Sequence, residues 1–209
     1  MPGENLTRIE AQERKAIVEV SSYDIHLDLT SSPETFRSTT TVRFTGTAGA
    51  STFIDAITAE VHSVVLNGTE LGASVADGVR IQLDGLAAEN ELTVVADFAY
   101  TNTGEGLHRF VDPVDGEVYL YSQFEVPDSR RVFAVFEQPD LKAEFTFTVT
   151  APANWQVVSN SPTPEPTPAG EGIATWAFAP TKNRANDCYK YQYTPRHIKW
   201  RNQLHNNNS

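Results

Sequence analysis

Gln123 and Glu125, within the run Y-L-Y-S-Q-F-E-V-P-D-S-R-R of residues 119–131, are the side chains best placed to do chemistry in this sequence. Two residues apart at the end of an expected strand, they share one face while Phe124 turns to the other. That sets an amide beside a carboxylate, a pair in which Glu125 could hold an ammonium and Gln123 hydrogen-bond a neighbouring group. The same residues also fit a solvated strand end in which Glu125 pairs with Arg130 or Arg131, worth about 0–1 kcal/mol on an exposed surface.

Other constellations fail on spacing. Five histidines stand at 26, 62, 108, 197 and 205, and none sits in an H-E-x-x-H pair one helical turn apart, so no metal ligand is expected here. There is no G-x-S-x-G, and Cys188 has no activating histidine near it in sequence. Gly104-Glu105-Gly106 is too short and too acidic to cradle a phosphate. No catalytic residue is expected, and the residues argue against a self-contained enzyme.

The elements that must position the pair are strands. Residues 16–29 alternate Tyr23, Ile25, Leu27 and Leu29 with Asp24, His26 and Asp28, which reads as a half-buried strand. The β-branched run 36–44 should pair with it as a hairpin. Further strands are expected at 51–57, 61–66, 79–83, 91–100, 118–124, 144–150, 155–159 and 173–178, with Asn67-Gly68 marking a tight turn. About ten strands at this spacing predict an all-β, sandwich-like domain with very little helix, the best helical stretch being 10–16. Residues 101–115 read as a long glycine-containing loop and 161–170, S-P-T-P-E-P-T-P-A-G, as an extended exposed connection. Trp155 and Trp176 are expected in the core, and His108 and Arg109 to hold their loop down.

Charge divides the chain. Its 209 residues carry a net charge of −11, which disfavours nucleic acid as a partner. Residues 182–209 nevertheless hold six basic groups against the single acid Asp187. No signal peptide and no membrane span is read, and a lone cysteine builds no disulfide framework, so a soluble cytoplasmic protein is expected.

Three stretches, G-E-G-L-H-R-F-V-D-P at 104–113, residues 119–139 with S-Q-F-E, D-S-R-R and E-Q-P, and F-T-F-T-V-T-A-P-A-N-W-Q-V-V-S-N-S-P at 145–162, carry a resemblance. The chain resembles the amino-terminal domain of the aminopeptidase N family, zinc-dependent gluzincin metallopeptidases that remove single residues from peptide amino termini, and looks most like actinobacterial members. The resemblance covers roughly residues 10–181. It implies a saddle-shaped, mostly antiparallel β domain over a catalytic domain following in cis, which would hold the zinc. It also implies that Gln123 lines the pocket for the first substrate side chain and that Glu125 helps bind the free α-amino group. Ser122 stands where many relatives have threonine.

The expected organisation is a polar segment 1–14, the β domain 15–181 and an atypical basic tail 182–209, read as frameshifted, truncated or vector-derived and disordered. The G-x-M-E-N loop and H-E-x-x-H site of the family are absent from the sequence. The chain alone is therefore expected to be inactive, a substrate-recognition domain of a zinc aminopeptidase. The alternative is a non-catalytic β-sandwich binding or interaction module.

Overall fold

The computed structural model describes residues 5–125, 127–159 and 161–181, and the backbone of 199–202. The chain opens with a helix, α1 (Arg8–Ile17). Thr7 and Glu10 form a reciprocal capping box, each side chain bonded to the other's backbone N–H. The strands follow as β1 (Val18–Asp28), β2 (Thr35–Gly46), β3 (Thr52–Asp55), β4 (Glu60–Leu66), β5 (Thr69–Glu70), β6 (Arg80–Leu83) and β7 (Glu89–Ala99). After them come β8 (Gly106–Val111), β9 (Val118–Gln123), β10 (Glu144–Pro152), β11 (Trp155–Val158), β12 (Thr167–Gly170), β13 (Ile173–Ala177) and β14 (Lys199–Asn202). The domain is all-β with little helix, as the alternation predicts.

Eight strands form one sheet in the order β12-β13-β10-β1-β2-β7-β4-β5, four form a second, β11-β14-β9-β8, and β3 pairs with β6. Pairing is antiparallel except between β1 and β10, where Tyr23 lies opposite Phe145. The expected β1–β2 hairpin forms, and Asn67 and Gly68 take positive φ in the turn joining β4 to β5. In β1 the buried phase runs through Val18 and Val20, then shifts to Tyr23, Ile25 and Leu27. A bulge between Val20 and Ser22 absorbs the odd residue and keeps both halves facing the core.

The core joins Phe36, Phe44, Phe98, Phe133, Phe136 and Phe147 with the aliphatic faces of β1, β7 and β10. Tyr23 is fully buried, stacked on Phe145 at 4.7 Å, and its hydroxyl oxygen accepts from the Phe136 N–H at 3.1 Å. Burial pushes its phenol well above the ordinary range. Trp176 lies in the core and Trp155 packs against it.

Four differences from the sequence reading have physical causes. The helix covers residues 8–17 where 10–16 was expected, because the capping box starts it two residues earlier. Residues 106–111, read as loop, form β8, because His108, Arg109 and Phe110 pair with β9 despite the glycines that precede them. Thr167–Gly170 pairs with β13 at the end of the proline run. Lys199–Asn202, set aside with the tail, lies between β11 and β9 and pairs their edges. The rest of 182–209, including Cys188, lies outside the described residues.

Candidate functional site

Gln123 ends β9 opposite Gly106, and Phe124 then turns inward. Phe124 is buried and meets Phe133 edge-on at 5.5 Å, which anchors the backbone between the two polar residues. Around it Gln123 is half-buried and Glu125, in the turn after β9, is exposed. The structure brings them into direct contact: the Glu125 N–H donates to Gln123 Oε1 at 2.9 Å.

The following turn is braced from below. The Asp128 N–H donates to the Glu125 carbonyl at 3.2 Å, and Arg131 Nε donates to Asp128 Oδ1 at 3.0 Å. Arg131 also approaches Glu105 at 3.7 Å. Arg130 Nε donates to the Pro127 carbonyl at 2.9 Å and its Nη2 to Asn5 Oδ1 at 2.9 Å. Among the described residues no lysine or arginine pairs with the Glu125 carboxylate, so the surface ion pair with Arg130 or Arg131 does not form there.

Glu137 lies behind this turn. It accepts from Ser129 Oγ and, at 2.8 Å, from the Arg130 N–H. Burial raises its carboxyl above the usual carboxylate range against those two donors. His108 holds the neighbouring loop: its Nδ1 accepts from the Gly104 N–H at 3.0 Å, and its ring stacks on Tyr121 at 4.6 Å.

Sequence reasoning missed a second polar centre, built on α1. Arg14 and Asp55 pair at 2.7 Å with side chains each 1% exposed. Arg14 Nε donates to Gln138 Oε1, the Glu137 N–H donates to Asp55 Oδ2, and the guanidinium lies over Phe53 and Phe136. No local pattern marks Arg14 as buried, since Asp55 stands 41 residues away. A groove of about 700 Å³ beside it is lined by Arg8, Lys15, Asp55, Arg130 and Glu137 among others. Neither Gln123 nor Glu125 lines it.

Glu60, His62 and Asp97 gather ligand atoms within 4.8 Å across β4 and β7, a meeting that histidine spacing alone does not reveal. They do not fit a zinc centre. Arg37 donates to both Asp97 oxygens at 2.9 and 3.2 Å and lies 3.0 Å from His62 Nε2, so a guanidinium already occupies the Asp97 carboxylate and crowds the imidazole nitrogen beside it.

The peptidase M1 N-terminal domain family matches residues 19–185. This chain belongs to that family. The M1 N-terminal domain found here is 59% identical to an aminopeptidase N of Streptomyces lividans over 186 residues, 87% of this chain and 21% of the relative. An aminopeptidase N of Acetobacter pasteurianus is 42% identical over 62 residues, covering 30% of this chain and 18% of the relative. A probable M1 family aminopeptidase of Encephalitozoon cuniculi is 33% identical over 129 residues, covering 50% and 15%. The chain thus spans about a fifth of the Streptomyces relative's length, and the likeness to an actinobacterial aminopeptidase N holds over most of its own. Among the described residues no helix is long and apolar enough to cross a membrane.

Proposed function

We propose that this M1 N-terminal domain contributes substrate recognition to a longer zinc aminopeptidase that removes residues from peptide amino termini. Glu125 binds the free α-amino group and Gln123 lines the pocket for the first side chain. The observation that carries the reading is the exposed Glu125 carboxylate, without a cationic partner among the described residues, held beside Gln123 by the buried Phe124. An exopeptidase must tell a charged terminus from an internal amide, and a carboxylate gains more from an ammonium than from a neutral N–H.

The partners are peptide amino termini and a catalytic domain in cis, with no role for nucleic acid or membrane. The zinc belongs to that catalytic domain, and the 209-residue chain alone is inactive. A cytoplasmic setting fits a chain with one cysteine.

Glu125→Ala in the longer aminopeptidase tests the reading. It should raise KM or lower kcat toward substrates with free amino termini by about tenfold or more, the loss expected when a charged hydrogen-bond partner is removed. Unchanged kinetics would return the pair to an ordinary strand end.

A further inference from the structure

The turn that presents Glu125 closes into a ring of contacts. Gln123 pairs with Gly106 across β9 and β8. Gly106, at φ +61°, abuts the side chain of Arg131, which reaches Asp128, whose N–H holds the Glu125 carbonyl. The ring shuts where the Glu125 N–H meets Gln123 Oε1. Both backbone hydrogen-bonding groups of Glu125 are therefore engaged, one of them by a side chain two residues earlier.

This arrangement uses the Gln123 oxygen inside the turn. A methionine of similar length would fill the same space with only a weakly accepting sulfur, whereas a glutamate would keep an oxygen acceptor. Fixing the backbone from which Glu125 projects also lowers the ordering cost of any contact its carboxylate makes.

We propose that Gln123 is a positioning residue for Glu125, its carboxamide oxygen locking the turn that aims the carboxylate. The ligand of that carboxylate rests on the reading given under Proposed function; the positioning rests on the turn alone, and the two fail separately.

The test compares Gln123→Met with Gln123→Glu in the ¹⁵N-labelled 209-residue chain, following hydrogen exchange and the amide shift of Glu125. Gln123→Met should speed exchange at that amide by about five- to tenfold, the factor that one ordinary hydrogen bond contributes, and move its proton resonance upfield. Gln123→Glu should keep both close to the parent. An unmoved Glu125 amide in Gln123→Met, or equal loss in both variants, overturns the proposal. In the longer aminopeptidase, Glu125→Ala tests the substrate reading separately. If Glu125→Ala proves silent there, the substrate reading falls while the amide measurement still decides the positioning.

Discussion

Gly106 lies so close to Arg131 that a Cβ on the glycine would come within 2.8 Å of the arginine's own Cβ. With φ at +61°, the residue also occupies backbone space that side chains disfavour. Gly106→Ala should therefore cost about 2–4 kcal/mol, combining left-handed strain of 1–2 kcal/mol with local overpacking. Urea unfolding checks this: a midpoint equal to the parent's would show that β8 gives way without cost.

Glu10 joins α1 to β6 through Arg80, at 2.6 Å, and those hydrogen bonds hold its carboxyl at about 2 instead of 4.5. A carboxyl depressed in the folded state stabilises the fold fully above its unfolded value, and that contribution is lost as pH falls from about 4.5 toward 2. Stability measured from pH 6 to pH 2.5 should fall less steeply in Glu10→Gln than in the parent. Parallel curves would remove Glu10 from the acid response.

The buried pair Arg14–Asp55 gives an asymmetric result on truncation. Asp55→Ala leaves the guanidinium without its buried counter-ion and should cost about 3–5 kcal/mol. Arg14→Met with Asp55→Leu, an apolar replacement of both, should recover much of that loss. Thermal unfolding of Arg14→Met, Asp55→Leu and the double variant decides it, and strictly additive losses would mean the two charges do not depend on one another.

Glu137 offers a third contrast. Burial raises its carboxyl, so ionisation above the ordinary carboxylate range opposes folding, and stability falls as pH rises through that window. Glu137→Gln keeps an acceptor for Ser129 and Arg130 and should be at least as stable as the parent at pH 7, while Glu137→Ala strands both donors and should lose about 1–3 kcal/mol. Denaturation at pH 5 and pH 7 separates the cases; a Gln variant weaker than the Ala variant would refute the account.

Zinc titrated into the 209-residue chain by calorimetry should show no stoichiometric binding at Glu60, His62 and Asp97, where Arg37 already holds Asp97. Binding that disappears in His62→Ala would reverse that assignment.

Strands that alternate clearly could be read from residues alone. Tyr23, Ile25 and Leu27 declare their face, and Asn67-Gly68 declares its turn, because both signals are local. β8 was hidden because Gly104 just before it, Gly106 at its start and His108 within it give the stretch a loop's composition, and only its pairing with β9 makes it a strand. The start of α1 was written in Thr7 and Glu10, a capping box three residues ahead of the expected helix. Gln123, Phe124 and Glu125 could be assigned to opposite faces by parity, but the bond from Glu125 to Gln123 depends on the chain leaving β9 at that point. Arg14 gave no sign of burial, since what buries it is assembled from β3 and the segment around Gln138.

The parallel pairing of Tyr23 with Phe145 also sets a timetable for synthesis. At roughly 5–20 residues per second, β10 leaves the ribosome about 6–24 seconds after β1. For that interval the nascent chain has β2 to pair with β1 on one side, while the other edge of β1 keeps its backbone N–H and C=O groups unpaired. Chaperone capture is expected to act on this window, and slowing elongation between residues 46 and 144 should lower the yield of folded protein more than slowing it after residue 152.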